Sequence, residues 1–169
     1  MITPRLYLDV DGVLAAVAVY SYSSPEPYDP AYAWSDWETI DYVPVSRSLA
    51  SALGDLPADR VWLTTWTQRA NEVLSPYFGW PQLEVLDARA RERSWWKLDA
   101  LIDTHPRGVP FVWVDDELAR QRALLNPGFD AALATLGAPY LLVCPLEIGA
   151  SALAPSQVDE IRQFLSDLR

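Results

Sequence analysis

The run Leu6-Tyr7-Leu8-Asp9-Val10-Asp11-Gly12-Val13 decides how the rest of the chain is read. Three apolar residues with no polar alternation are followed by two carboxylates, two positions apart, and then by a glycine. A short, wholly apolar run suits a strand buried on both faces, as in a parallel sheet. In extended backbone Asp9 and Asp11 point to the same side. Gly12 lets the chain turn sharply behind them.

The same pattern recurs along the chain. Val61-Trp62-Leu63 ends in Thr64-Thr65, Phe111-Val112-Trp113-Val114 ends in Asp115-Asp116-Glu117, and Tyr140-Leu141-Leu142-Val143 ends in Cys144-Pro145. Leu83-Glu84-Val85-Leu86 is a weaker fifth strand. Helical spacing fills the gaps. Helices are expected over Val45 to Leu53, over Thr67 to Tyr77 with Thr67 as N-cap, and from a Ser94 cap through Trp95, Leu98, Leu101 and Ile102. Others are expected over Glu117 to Leu125, stopped by Asn126-Pro127-Gly128, over Phe129 to Leu136, and from Pro155 onward with Val158, Ile161, Phe164, Leu165 and Leu168 on one face. Strands alternating with helices predict a doubly wound, Rossmann-like α/β domain of about five parallel strands spanning residues 1–169.

Residues 15–44 break the alternation. They carry Tyr20, Tyr22, Tyr28, Tyr32, Trp34, Trp37 and Tyr42 together with Pro25, Pro27, Pro30 and Pro44. This segment reads as a small flap inserted after the first strand, outside the sheet. Trp34 and Trp37 offer rings for stacking on a base or sugar, although packing of the flap is the commoner use of such residues.

At 169 residues, half of them hydrophobic, the chain is long enough for a substantial core. Its net charge of -10 repels polyanions and argues against extended nucleic-acid binding. A phosphorylated small molecule or a single nucleic-acid end stays within reach if a metal supplies positive charge locally. One cysteine, Cys144, and one histidine, His105, exclude an intrachain disulfide and any zinc site built from several such residues. A cytoplasmic location is the expectation. The apolar stretch from Val13 to Val19 is too short to span a membrane and is not laid out as a secretory signal.

In a doubly wound sheet, ligands bind beyond the carboxyl ends of the strands. Asp9, Asp11, Asp115 and Asp116 would gather there, a costly arrangement without a cation. Oxygen donors completed by water suit Mg²⁺. Phosphoryl transfer to a carboxylate also needs a second carboxyl group as acid and base, a hydroxyl for the phosphoryl oxygens, and a cation for the developing charge. Thr64 offers the hydroxyl, and Lys97 is the one lysine in the chain.

The order Leu8-Asp9-Val10-Asp11-Gly12-Val13, Leu63-Thr64, Lys97 and Val114-Asp115-Asp116 resembles the four motifs of the haloacid dehalogenase superfamily. The stretches Trp62-Leu63-Thr64-Thr65-Trp66, Trp95-Trp96-Lys97-Leu98-Asp99 and Val112-Trp113-Val114-Asp115-Asp116-Glu117 are closer to one branch, the bacterial domains related to the "Swiss Army Knife" RNA-repair phosphatases. The resemblance implies a Mg²⁺-dependent phosphatase acting through an aspartyl-phosphate. Asp9 would be nucleophile and metal ligand, and Asp11 the general acid/base with its backbone carbonyl on the metal. Thr64, helped by the Thr65 amide, would hold the phosphoryl group. Lys97 would pair with Asp9 and the phosphate, Asp115 would bind metal directly, and Asp116 directly or through water. The flap is shorter than the superfamily's large caps, so an open, cap-less site is expected. The branch suggests a nucleotide or a nucleic-acid 3′-phosphate end as substrate.

Each signal has a plainer reading when taken singly. Asp-x-Asp-Gly makes turns, Asp115-Asp116 suits a helix N-terminus, and Thr64-Thr65 suits a strand-end cap. Lys97 alone suits a solvated helix. His105 reads as a surface or capping residue, Trp95 and Trp96 as core, and Arg89, Arg91 and Arg93 as a solvated face or as phosphate contacts. An alternative to catalysis is a phosphate-binding or regulatory module on the same scaffold. Intact Asp9, Asp11, Lys97 and Asp115 argue against that.

Overall fold

Alternation along each strand divides the core into two. In the computed structural model, which describes residues 2–17, 23–87 and 95–169, Leu6, Leu8, Trp62, Val112 and Val114 point into one apolar cluster. Their neighbours Tyr7, Val61, Leu63, Phe111 and Trp113 point into another. A sheet buried on both faces produces this split, and it explains why these strands read as unbroken apolar runs.

The strands are β1 (Arg5–Leu8), then β2 (Trp37–Ile40) and β3 (Val43–Ser46) of a separate hairpin, β4 (Asp59–Trp62), β5 (Glu84–Val85), β6 (Phe111–Val114) and β7 (Tyr140–Val143). The main sheet is wholly parallel in the order β5-β4-β1-β6-β7. From β1 the chain winds outward through β4 to β5, then returns to the far side of β1 for β6 and β7. The direction reverses between β1 and β6, which is the topological switch point of a Rossmann-like sheet. Helix α1 (Arg47–Gly54), the short α2 (Ser75–Phe78) and α6 (Pro155–Asp167) lie on the Leu6 side. Helices α3 (Trp96–Thr104), α4 (Leu118–Leu125) and α5 (Gly128–Ala134) lie on the Tyr7 side. That distribution is the one right-handed crossovers produce when the winding direction reverses.

All five strands anticipated from the sequence form. The differences lie at element ends. Val45 belongs to β3, not to α1, because Ser46 caps the helix: its Oγ accepts from the Leu49 amide at 3.1 Å, and Asp36 Oδ2 accepts from the Ser48 amide at 2.8 Å. Thr67 has φ +49°, not the extended backbone of an N-cap, and helix follows at residues 68–78 with a π-helical segment, Ala70–Leu74, inside it. The anticipated Ser94 cap, Arg89, Arg91, Arg93, Tyr20 and Tyr22 lie outside the described residues. His105 is buried and so is not a surface residue, but it is the cap residue at the end of α3, its N–H donating to the Leu101 carbonyl at 2.8 Å. Its Nε2 donates to the Val109 carbonyl at 2.8 Å, which leaves Nδ1 to accept from the Tyr7 hydroxyl at 2.8 Å in the neutral ring. Among the described residues, no helix is long and apolar enough to cross a membrane.

The later part of the 15–44 insertion forms a β-hairpin, β2 with β3, that runs on to Ser46. Asp41 and Tyr42 at its tip have φ of +51° and +70°, the left-handed pair that a two-residue type I′ turn requires. Ala16 N–H donates to the Pro44 carbonyl at 2.9 Å, joining the hairpin to the loop that leaves β1. The Tyr77 hydroxyl donates to Glu38 at 2.7 Å and Arg69 pairs with Asp41, fastening it to the helical stretch 68–78.

Asn71, buried in that stretch, sets the edge of the sheet. Its Oδ1 accepts from Trp62 Nε1 at 3.1 Å, from Ser75 Oγ at 3.1 Å and from the Leu83 amide at 2.8 Å, and its Nδ2 donates to the Leu83 carbonyl at 2.8 Å. An Asn71→Leu substitution keeps the branched shape and strands all four partners. Urea unfolding should show a loss of about 3 kcal/mol. A loss under about 1 kcal/mol would mean that these groups find other partners.

Candidate active site

The backbone sets the positions of the reactive side chains before any of them interact. Asp9 N–H donates to the Val114 carbonyl at 3.1 Å, and Asp115 N–H to the Val143 carbonyl at 3.1 Å, so each aspartate continues the ladder one residue past its strand. On the other side of β1, Leu63 N–H donates to the Leu8 carbonyl at 2.9 Å, which brings Thr64 beside the Asp9–Asp11 segment. Asp9 and Asp115 therefore stand next to each other across the switch point.

Lys97, in the first turn of α3, reaches between them. Its ammonium pairs with Asp9 Oδ2 and with Asp115 Oδ2, the latter at 2.6 Å, and all three side chains are at least nine-tenths buried. The remaining oxygens take backbone donors: Val10 N–H on Asp9 Oδ1 at 2.7 Å and Glu117 N–H on Asp115 Oδ1 at 2.9 Å. Burial works against the Lys97 charge, but Asp9 and Asp115 outweigh it and hold the ammonium above its ordinary range. Asp115 is pushed the other way for a carboxylate, upward, first by burial and then by the Asp9 charge, with Lys97 offsetting part of this.

Asp116 completes the group. It is partly buried, and its acidity is weakened to a pKa of about 6 by burial first and by Asp9 next. Its loop is fastened by Cys144, whose Sγ donates to the Asp116 carbonyl at 3.2 Å; the end of the β7 strand thus contributes through position, not reactivity. Gly12 has φ +70°, and a Cβ there would lie 2.5 Å from Asp116 Oδ2. The glycine is required both for the turn and for the space Asp116 occupies. Asp11 is held by the Trp66 indole, which donates to its Oδ2 at 3.0 Å, while its Oδ1 is buried without a hydrogen-bond partner among the described residues. Asp11 is likewise raised, by burial first, with the Trp66 hydrogen bond opposing. Thr64 is buried, its Oγ1 accepting from the Trp66 amide at 3.3 Å, and Thr65 is exposed at the following turn.

The residues singled out in the sequence are thus brought together: Lys97 pairs with Asp9 and Asp115, Asp116 offers an oxygen within 4.8 Å of theirs, and Trp66 joins Asp11 to Thr64. Trp66 was not assigned a role by sequence reasoning. An aromatic two residues after Thr64 is visible there, but not that it turns inward. Trp34 and Trp37 are used for packing. Both lie against the core, and Trp34 Nε1 donates to the Leu153 carbonyl at 2.7 Å. Among the described residues of the insertion, the exposed rings are Tyr28, Tyr42 and, about half exposed, Tyr32.

One oxygen each from Asp9, Asp115 and Asp116 lies within 4.8 Å of the others. Six-coordinate Mg²⁺ holds oxygens at about 2.1 Å, hence up to about 4.2 Å apart. The three carboxylates fit such an ion after drawing in slightly, and the all-oxygen donor set suits it. Comparison with protein-family models, with curated proteins and with solved structures finds no match to this chain.

Four carboxylates lie around one ammonium here, two of them paired with it, so removing a charge of either sign should change the stability of the metal-free protein. Lys97→Met leaves Asp9 and Asp115 buried without their cation and should cost about 3–5 kcal/mol in chelator, measured by urea unfolding. Asp116→Asn should act oppositely. The folded pKa of Asp116, about 6, lies above the unfolded carboxylate value of about 3.9. Its stabilising contribution is therefore complete at low pH and lost as pH rises through about 6. In chelator, Asp116→Asn should melt higher than wild type at pH 8, and the gain should fade toward pH 5. A pH-independent difference would remove Asp116 from the electrostatic group.

Proposed function

We propose that the chain is a Mg²⁺-dependent phosphatase of the haloacid dehalogenase type that hydrolyses phosphate monoesters through an aspartyl-phosphate on Asp9. The observation that carries this reading is the buried Asp9–Lys97–Asp115 arrangement at the switch point, with a second, differently held carboxyl group, Asp11, two residues from Asp9.

Asp9, Asp115 and Asp116 would hold the metal, together with the Asp11 carbonyl that the family resemblance adds. A bound Mg²⁺ supplies the positive charge that lets a phosphate dianion approach a strongly acidic site. In the first step a carboxylate oxygen of Asp9 forms a bond to phosphorus as the bond from phosphorus to the leaving oxygen breaks. Asp11, in its acid form, gives that oxygen its proton, so an alcohol leaves. In the second step water attacks phosphorus, Asp11 takes the proton, and the Asp9–phosphorus bond breaks to release inorganic phosphate. Lys97 fixes Asp9 and offsets charge gathering on the phosphoryl oxygens. The Thr64 hydroxyl, its oxygen occupied by the Trp66 amide, turns its hydrogen toward a phosphoryl oxygen, with the Thr65 amide beside it.

Two carboxyl groups with different tasks need different environments. Asp9 meets an ammonium and a backbone amide. At Asp11, burial first and the Asp9 charge after it favour the acid form, with the Trp66 hydrogen bond opposing. As substrate class we propose a nucleotide or a nucleic-acid 3′-phosphate end. The branch resemblance and the exposed tyrosines of the hairpin region support it.

The purified protein should release phosphate from an aryl phosphate with Mg²⁺ and not with chelator. Asp9→Asn should lower kcat by a thousandfold or more, on the order expected for loss of a nucleophile. Activity surviving that substitution would remove Asp9 from the reaction. A panel of esters tests the substrate class, which fails if sugar phosphates are turned over far better than nucleotides and 3′-phosphorylated oligonucleotides.

A further inference from the structure

We propose that Trp66 is a positioning residue that dictates which oxygen of Asp11 carries the transferable proton; this rests on the phosphatase reading above. An indole N–H only donates. It points at Asp11 Oδ2 from 3.0 Å, so Oδ2 is an acceptor in both protonation states of the carboxyl group. The carbonyl oxygen is the better acceptor of the two, so this hydrogen bond favours Oδ2 as carbonyl and the acid hydrogen on Oδ1. That atom is buried and has no hydrogen-bond partner among the described residues. A buried carboxyl oxygen without a partner is costly unless a ligand supplies one. The leaving oxygen of the ester is that partner in the first step, and the attacking water in the second. Oδ1 thus gives the proton and later receives it, while Oδ2 stays fixed.

The same residue acts on the phosphate-binding hydroxyl. The Trp66 amide donates to Thr64 Oγ1 at 3.3 Å, which commits a lone pair of that oxygen and leaves its hydrogen to be donated. One residue therefore sets the polarity of two groups, by its backbone at Thr64 and by its ring at Asp11.

The loop is built to hold this orientation. Thr67, immediately after it, has φ +49°, which a β-branched residue adopts only where its surroundings over-determine it. The Arg69 guanidinium lies over the Trp66 ring, 5.1 Å from its centre, and Arg69 is itself paired with Asp41 at the tip of the hairpin. A Trp serving only as packing would need none of these contacts to aim its N–H.

The test compares 4-nitrophenyl phosphate, whose leaving group departs as an anion, with an alkyl phosphate, whose leaving oxygen needs the proton. Proton transfer from a positioned acid contributes about 10²–10⁴-fold. Trp66→Phe should therefore lower kcat/KM for the alkyl ester at least about tenfold more than for the nitrophenyl ester. Replacing Trp66 by 3-benzothienylalanine, which keeps the bicyclic shape and lacks the N–H, should do the same and guards against misfolding of the Phe variant. In the metal-free protein, the Trp66 indole proton, identified by its absence from the Trp66→Phe NMR spectrum, should resonate downfield and move upfield in Asp11→Leu. Equal losses on both esters, or an indole resonance indifferent to Asp11→Leu, would overturn the assignment while leaving the phosphatase reading in place. A wild-type protein inactive on every ester with Mg²⁺ would overturn both.

Discussion

A single ammonium between two buried carboxylates is the constraint around which this molecule is arranged. Lys97 has to enter the sheet's carboxyl edge at the point where Asp9 and Asp115 meet, and those two meet because β1 and β6 are neighbours. If Lys97 were absent, adjacent carboxylates would face each other in a medium that screens them poorly. If the strand order were different, they would not be adjacent. The sheet topology and the charge balance are thus two sides of one requirement, and α3 is the element that satisfies it.

The remaining groups are oriented by donors that cost the chain little. Backbone amides of Val10 and Glu117 occupy one oxygen of Asp9 and of Asp115, and the Trp66 indole occupies one of Asp11. In Asp9 and Asp115 the other oxygen takes the Lys97 ammonium, and in Asp11 the other oxygen is buried with no partner among the described residues. Preorganisation of this sort is what the proposed two-step transfer needs, since one carboxyl group must stay an anion while another alternates between acid and base.

Much of this was legible in the chain, for reasons that can be named. Apolar runs such as Phe111-Val112-Trp113-Val114 announce a strand buried on both faces, and the residues that follow each run inherit a place at the carboxyl edge. Asp9, Thr64 and Asp115 were found by that rule alone. The helix start at Arg47 was not, because apolar Val43 and Val45 fit a helical period as well as a strand, and the deciding contact, Asp36 with Ser48, is a tertiary one. The inward turn of Trp66 depends on a left-handed Thr67, a conformation that nothing in threonine's own preferences announces. His105 before Pro106 reads as a surface or capping residue; the cap at the end of α3 is there, and its burial against Tyr7 of β1 is a tertiary contact that its neighbours in sequence do not announce.

The central position of β1 has a consequence for how the chain folds. Arg5 to Leu8 pair with Asp59–Trp62 on one side and with Phe111–Val114 on the other. Both partners are distant in sequence, so the loop-closure entropy of the whole sheet is concentrated on the strand made first. During synthesis β1 stays open along one edge until β6 has emerged. Asp9, next to it, is made before the other residues of the candidate site, yet it is not enclosed until Lys97 and Asp115 have joined it.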